Sequence, residues 1–350
     1  MVYPNVTSTG STHCLEDMLQ RHRAFWAMEE VGRPLLRAGR YQPLEPREPF
    51  RLTDGSLTQE GARILPELVD ARRLIELDPE PSAIANGDFI ECVAPYDLCW
   101  TEAIVGCPIG WNAGHVWSDS FLDDLNSLKR LPTSPDDRWP SKLLEVTQFL
   151  VERAGGRYPV CQPLLRGPVD MAAAVLGDEQ LCWAMVDEPQ RVRQLLEICT
   201  DVFLTVASKQ SVASSSFQGG GCEFGIWAPG TIVRTQCDNA ALLSPSLYQQ
   251  FLVPCDERIC ANFDYPLMHT HACFIEIVAD ALLGIERLRA IQVSLDYPAG
   301  PGVTALLPTF RRINQQKPLI ITGGLSQQEL NLLLETLSPK GLCLQVSIHD

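Results

Sequence analysis

The sequence has no apolar run long enough to span a lipid bilayer. Its first residues, Met1-Val2-Tyr3-Pro4-Asn5, do not join a basic region to an apolar one, which is the pattern of a secretory signal. Hydrophobic residues nevertheless make up 45% of the chain, which is ordinary for a protein with a substantial core. We therefore expect a soluble, cytoplasmic, globular protein.

Basic residues are also scarce, since 28 Lys and Arg face 43 Asp and Glu, for a formal net charge of −15. Proteins that bind nucleic acids need basic surface to neutralise phosphates. The same argument applies to docking on anionic lipid. The charge thus argues against a nucleic-acid or membrane partner and leaves a small-molecule substrate as the expectation.

Nucleotide-binding signatures are absent too, because neither G-x-G-x-x-G after a strand nor G-x-x-x-x-G-K-[ST] occurs. From about residue 158, strand-like and helical patterns alternate, which predicts a parallel sheet with right-handed crossovers. Length and repetition favour a single (β/α)₈ TIM barrel. We predict an N-terminal helical extension over 1–60, packed on a barrel over 61–350, with amphipathic helices over 58–77 and 119–129.

Thirteen cysteines is a high count, but their number is odd and they are scattered. Without a secretory signal, a disulfide framework is not expected. Most of them, including Cys92, Cys99, Cys182 and Cys199, lie among apolar neighbours and are interpreted as small core residues.

Three potential ligands of soft metals alternate in Leu267-Met268-His269-Thr270-His271-Ala272-Cys273, where a strand gives way to a helix. Residues at i, i+2 and i+4 of a strand point to one face. Imidazole and thiolate together suit zinc. His269, His271 and Cys273 are therefore either candidate ligands of one zinc site at this strand end or ordinary core residues, and His269 lies one step deeper than the other two. Cys343, on the last strand, is the candidate for a further ligand, and Cys222 and Cys237 are alternatives.

Polar side chains are also dense around Trp227 and from Arg234 to Asn239. Arg234 can hold a substrate carboxylate, and Asp238 can act as acid, base or pocket anchor, although Asp238 or Asn239 can equally cap a turn. Asp97 lies between aromatic residues and either has a raised pKa or caps the following helix. Asp296 ends a strand, which is a favoured catalytic position in barrels, and also fits a turn.

These residues resemble the superfamily of uroporphyrinogen decarboxylase and the zinc-dependent, cobalamin-linked methyltransferases. The most specific segment is Gln236-Cys237-Asp238-Asn239-Ala240-Ala241-Leu242-Leu243-Ser244-Pro245, which is similar to the family's Phe-Asp-Ser-Trp-Ala-Gly-x-Leu-Ser-Pro. Tyr96-Asp97-Leu98 and Gly323-Gly324-Leu325 resemble two further family segments. The resemblance implies a (β/α)₈ barrel.

The two branches of the superfamily imply different roles for the same positions. The methyltransferase branch implies that His271 and Cys273, with a late cysteine such as Cys343, hold zinc and activate a thiol acceptor, with a corrinoid protein as candidate partner. The decarboxylase branch implies a metal-free site in which Asp97 polarises the substrate and Arg37 or Arg40 holds its carboxylates. Departures from both motif sets leave a third hypothesis, a barrel that binds a ligand or partner without catalysis. A homodimer is compatible with each.

Overall fold

The computed structural model describes residues 12–40, 48–77, 80–81, 84–131 and 137–349. The strands are β1 Leu35–Arg40, β2 Arg63–Ile64, β3 Ala85–Asn86, β4 Phe89–Ile90, β5 Ile109–Asn112, β6 His115–Ser118, β7 Gly221–Glu223, β8 Ile226–Ala228, β9 Ile232–Gln236, β10 Tyr265–His271, β11 Ala290–Ser294, β12 Leu319–Leu325 and β13 Leu342–Ile348. The helices are α1 Thr12–Trp26, α2 Ala71–Glu76, α3 Trp100–Val105, α4 Arg138–Ala154, α5 Pro168–Leu176, α6 Asp178–Asp187, α7 Pro189–Ala213, α8 Pro245–Leu247, α9 Val253–Cys260, α10 Ile275–Gly284, α11 Val303–Asn314 and α12 Gln327–Thr336. None of these helices is both long and apolar enough to cross a membrane.

A six-stranded parallel sheet dominates the chain, in the order β1-β13-β12-β11-β10-β9. Helices α10, α11 and α12 alternate with its last four strands, which confirms the predicted α/β class. The first and last strands, β1 and β13, are neighbours, as a barrel requires. A short parallel bridge joins Val93 to Val160. Among the described residues the ladder stops at β1 and β9, so hydrogen-bonded closure into a barrel is not seen there.

One face of the sheet is apolar near the amino ends of its strands and polar near their carboxyl ends. Near the amino ends it carries a buried apolar cluster that includes Leu35, Leu267, Ile320 and Cys343. Two and four residues further on, the same face carries polar groups, because side chains on one face recur with a period of two. These polar residues are Arg37, Arg234, Gln236, His269, His271, Gln292, Ser294, Thr322 and Gln345. The opposite face packs against the helices in the main hydrophobic core. Chemistry-bearing side chains are thus directed to the carboxyl ends.

Two predicted helices are wrong. Residues 58–77 form strand β2, a 3₁₀ turn at Pro66–Leu68 and only then the short helix α2, which is capped by Asp70. Pro66 lacks an N–H and disfavours a helical conformation at the residue before it, which interrupts the apparent helical pattern. Residues 119–129 likewise contain a 3₁₀ turn, Leu125–Arg130, rather than an α-helix.

The segment over 1–60, predicted to be an extension packed on a barrel over 61–350, contains one strand of the sheet. Strand β1 lies within the first 60 residues, yet it pairs along its whole length with β13. Helix α1, in the described part of the same segment, packs against β8 and β1. The sheet therefore recruits its first strand from the segment that was expected to lie outside it.

Candidate active site

The carboxyl ends of β9, β10 and β11 bring three ionisable residues together. His271 is the last residue of β10, and Asp238 opens the 3₁₀ turn that follows β9. Asp296 lies two residues after β11 and has a positive φ of 55°. A non-glycine residue in this left-handed region is uncommon, and such strain concentrates at functional sites. These three elements form one edge of the parallel sheet, where α/β enzymes hold their chemistry.

His271 lies between the two carboxylates. Its Nδ1 atom is 2.5 Å from Oδ1 of Asp296, and its Nε2 atom is 3.4 Å from Oδ1 of Asp238. Hydrogen bonds with Asp238 and then Asp296 raise the pKa of His271 to about 9, against the effect of burial. In return, although burial opposes it, His271 lowers the pKa of Asp238. The imidazole is therefore protonated at neutral pH and held in a fixed orientation between the two carboxylates.

An ion pair that sequence reasoning missed lies beside Asp238. Arg166 Nε donates to Oε1 of the buried Glu102 at 2.7 Å, and its Nη1 atom is 3.8 Å from Asp238 Oδ2. Thr101 Oγ1 donates to the other oxygen of Glu102 at 3.0 Å. Burial raises the pKa of Glu102, and Arg166 counteracts that rise. The ion pair with Glu102 thereby holds the guanidinium of Arg166 beside Asp238.

Gly167 explains how Arg166 reaches this position. A Cβ atom on Gly167 would lie 2.0 Å from the carbonyl oxygen of Gln236, so only glycine permits the contact between this segment and the end of β9. Gly167-Pro168 also begins helix α5. The dipeptide was a visible signal for a turn, but its partner across the fold was not.

Asp170 fixes the loop that carries Asp238. Its carboxylate accepts the backbone N–H groups of Asp238 and Asn239, both at 3.1 Å, and the side chain is buried. Burial and then the charge of Asp238 raise the pKa of Asp170 to about 7. These two hydrogen bonds fix the backbone of Asp238 and Asn239. They thereby hold the side chain of Asp238 close to His271.

Asp97 belongs to the same electrostatic environment. Its charge opposes ionisation of Glu102 and strengthens protonation of Arg166. Its Oδ1 atom accepts the N–H of Cys99 at 3.0 Å, just before helix α3. Asp97 thus makes a local turn just before the helix, whose N-cap residue is Cys99.

Arg234 is the most unusual cation of the site. The residue is 8% exposed, and its Nε and Nη1 atoms have no hydrogen-bond partner. The guanidinium lies over the ring of Phe224, 5.0 Å from its centroid. Burial lowers the pKa of Arg234 to about 10, and Glu223 and Asp238 counteract that fall. Unpaired buried donors are costly, so this group is suited to an anionic ligand.

His269 lies one step deeper on β10, as predicted. Its Nδ1 atom is 2.8 Å from Oε1 of Gln292 on the neighbouring strand. Burial, and then the charge of Arg234, lower the pKa of His269 to about 3. His269 is therefore neutral, and it packs edge-on against His271 with 4.9 Å between ring centroids.

The predicted zinc ligands do not converge. Cys273 is exposed next to Asp296, to which its N–H donates at 3.4 Å. Cys343 is fully buried between Leu35 and Ile320, and strands β11 and β12 separate it from β10. The donor set of His271, Cys273 and Cys343 therefore does not fit one three-ligand centre.

Three other predicted binding residues show no contact with His271, Asp238 or Asp296 in the described part of the chain. Trp227 is buried, and its Nε1 donates to the carbonyl of Phe217 at 2.8 Å, so it serves the core. Arg37 pairs with Glu91 at 3.2 Å on the inner face of β1. Arg40 is exposed at the end of β1.

A separate group of cysteines was not foreseen as a unit. The Sγ atoms of Cys92, Cys161 and Cys222 all lie within 4.8 Å of one another. Across the described ranges, this is the one group of three or more such side chains close enough to share a metal ion. Cys222 had been an alternative ligand, whereas Cys92 had been interpreted as a core residue. Their distance along the chain hid the cluster.

Comparisons with known proteins agree with this architecture. The family model described as Uroporphyrinogen decarboxylase (URO-D) matches residues 91–297, which is more than half of the chain. A solved structure, a methyltransferase from Methanosarcina mazei, superposes with a TM-score of 0.61 at 15% identity, covering 95% of this chain and 93% of that one. At so low an identity, the superposition shows a shared fold and nothing more. A search of curated protein sequences found no match.

Proposed function

This chain belongs to the uroporphyrinogen decarboxylase (URO-D) family, and on that premise we propose that it is an enzyme that transfers a methyl group to the thiol of an acidic small molecule. The full-length structural likeness to a methyltransferase supports this branch of the superfamily over the other. The observation that carries the proposal is the placement of His271 between Asp238 and Asp296 at the carboxyl end of the sheet.

The chemistry requires that the acceptor thiol becomes a thiolate, because the thiolate is the nucleophile. A free thiol has a pKa of about 8.5. The pKa of His271 is about 9, so the imidazole is mostly protonated at neutral pH. Its neutral form, whose share grows as pH rises toward 9, accepts the thiol proton at little cost in free energy because the two pKa values are similar. Asp296 on Nδ1 and Asp238 near Nε2 stabilise the resulting imidazolium. This is the logic by which an oriented base activates a nucleophile.

The cations of the site define the substrate class. Arg234 has two unpartnered guanidinium nitrogens, and Arg166 lies next to Asp238 at the mouth. A carboxylate on the acceptor satisfies Arg234, as the position of this residue in the sequence suggested. We therefore expect acidic thiols such as mercaptoacetate or homocysteine to be preferred over uncharged ones.

Methylcobalamin is the donor that tests the proposal, since a corrinoid is the methyl carrier that the superfamily implies. In the reaction the methyl–cobalt bond breaks with its electron pair left on cobalt, the methyl–sulfur bond forms, and the thiol proton remains on His271. We expect formation of the methyl thioether, measured by mass spectrometry, to fall about 100-fold or more in H271Q. The exposed His115 on β6 gives the matched control, H115Q, which retains the wild-type rate. Equal rates for wild type and H271Q would refute the proposal.

Decarboxylation is the second candidate, and the cluster of Asp97 with Arg166 favours it. In that reaction Arg234 holds one carboxylate while another leaves as carbon dioxide, and His271 supplies the proton that replaces it. Release of labelled carbon dioxide from acidic pyrroles, abolished in D97N and without any thioether product, would establish this reaction in place of methyl transfer.

A further inference from the structure

The cysteines Cys92, Cys161 and Cys222 lie on three separate segments of the chain. Cys92 follows β4, Cys161 follows the parallel bridge between Val93 and Val160, and Cys222 is the central residue of β7. Backbone hydrogen bonds hold the first two segments in register, because Cys161 N–H donates to the carbonyl of Val93 at 2.7 Å. The sulfur atoms are therefore placed by regular structure.

A second set of contacts ties the β7–β8 hairpin to both segments. The N–H of Ile90 donates to the carbonyl of Gly225 at 3.0 Å, and the N–H of Gln162 donates to Oε1 of Glu223 at 2.9 Å. Glycine is required in this hairpin, since a Cβ on Gly220 would lie 2.0 Å from the carbonyl oxygen of Ala228. The third cysteine thus has a fixed position relative to the other two.

The spacing of the sulfur atoms suits a thiolate-bound ion. A zinc–sulfur bond is about 2.3 Å long, so two thiolates on a tetrahedral ion lie about 3.8 Å apart. The three Sγ atoms lie within 4.8 Å of one another, so a contraction of about 1 Å at most completes the geometry.

Access to this cluster comes from one side. Cys222 lines a cavity of about 260 Å³, together with Gln162, Gly221 and Glu223. Elsewhere the sulfur atoms adjoin apolar side chains, among them Met18, Ile90 and Phe217. Cys222 itself is 4% exposed, so the cavity brings solvent up to its segment, and apolar side chains cover the cluster elsewhere.

We propose that Cys92, Cys161 and Cys222 form a zinc-binding centre, with the fourth coordination position open to the cavity beside Cys222. The bound ion links three parts of the chain, which are the segment after β4, the segment around Val160 and the β7–β8 hairpin. The centre is separate from His271 and independent of the reaction at the mouth. Its primary effect is on the stability of the fold.

Metal analysis of the full chain, purified under reducing conditions without chelator, tests the proposal. We expect one equivalent of zinc in the wild type and in the control C199S, in which another fully buried cysteine is changed. Zinc is expected to fall below a tenth of an equivalent in C161S and in C222S. Retention of zinc by both variants would overturn the proposal, as would its loss in C273S or H271Q.

A second measurement covers the case in which the cysteine variants do not fold. Cobalt(II) added to the chelator-treated wild-type protein should give the intense thiolate-to-metal absorption of a tetrahedral site with three sulfur ligands. Zinc should abolish that absorption and protect the three cysteines from alkylation, as mapped by mass spectrometry. Absence of the band, or protection of a different set of cysteines, would contradict the assignment.

Discussion

The Nδ1 atom of His271 lies 2.5 Å from Oδ1 of Asp296, across the ends of the neighbouring strands β10 and β11. This contact uses one imidazole nitrogen and turns the other, Nε2, toward Asp238 and the mouth of the site. A carboxylate that orients a histidine in this way also makes the histidine a stronger base. Together with Asp238, which has the larger effect, Asp296 thereby raises the pKa of His271.

Replacement of Asp296 by Asn should lower the pKa of His271 by about 1 unit or more, because one of its two carboxylate partners loses its charge. The pKa is measured by NMR titration of the imidazole nitrogens. The exposed Asp280, which pairs with Arg312, gives a matched control, and D280N should leave the titration unchanged. A pKa of His271 that stays at about 9 in D296N would contradict this coupling.

Stability should depend on pH through the same residue. The pKa of His271 in the folded chain, about 9, exceeds its ordinary value of 6.5. Protonated His271 therefore stabilises the fold fully below about pH 6.5. Its contribution declines as pH rises and is lost above about pH 9. The difference in unfolding free energy between wild type and H271Q should shrink over this interval in urea titrations. A difference that is constant from about pH 6 to about pH 10 would rule out the linkage.

We expect Arg234 to lower the stability of the fold and to strengthen substrate binding. In R234M the buried, incompletely paired charge is gone, so the free energy of unfolding should rise by about 1 kcal/mol. The KM for an acidic thiol should increase about 10- to 100-fold through loss of a charge-assisted hydrogen bond, with a smaller effect on an uncharged thiol. R51M changes an exposed arginine and should alter neither quantity. A lower stability with an unchanged KM would mean that Arg234 is purely structural.

Replacement of Asp170 should cost more unfolding free energy than replacement of an exposed aspartate that accepts the same type of hydrogen bond. An Asn at this position can accept only one of the two backbone N–H groups as well as before, so D170N should cost about 1–2 kcal/mol in unfolding free energy. The methyl-transfer rate should also fall, since Asp238 is no longer held toward His271. Asp124 accepts the N–H of Ser127 at the surface, and D124N should cost less than D170N in the same unfolding experiment. Equal costs would show that burial is unimportant here.

Cys343 should behave as a packing residue. It is fully buried in the apolar layer with Leu35 and Ile320, so C343A should cost about 1 kcal/mol of unfolding free energy. Its zinc content and methyl-transfer rate should match the wild type. A variant that loses zinc while it stays folded would restore Cys343 as a ligand.

Local patterns in the sequence predicted the second half of the fold well. The alternation from Leu267 to Cys273 predicted strand β10 and the shared face of His269 and His271. Serine is a residue type that favours the start of a helix, and the Oγ atom of Ser326 accepts the N–H of Glu329 at the start of α12. These features depend on neighbouring residues, which a sequence displays directly.

The rest of the site depends on contacts between distant segments. Arg166, Glu102 and Asp170 join Asp238 only because Gly167 allows its segment to approach the end of β9. The three clustered cysteines are likewise brought together by strand and hairpin contacts that no local spacing reveals. Conversely, the apparent helix over 58–77 satisfied a periodicity that Pro66 interrupts.

Methyl transfer from methylcobalamin to mercaptoacetate, compared in wild type, H271Q and C343A, tests the central claim most directly. The claim is that the active site is the carboxylate-flanked His271, without the buried cysteine of β13. We expect H271Q to lose about 100-fold or more in rate, while C343A stays close to wild type. Wild-type activity in H271Q together with an inactive but folded C343A would contradict the account.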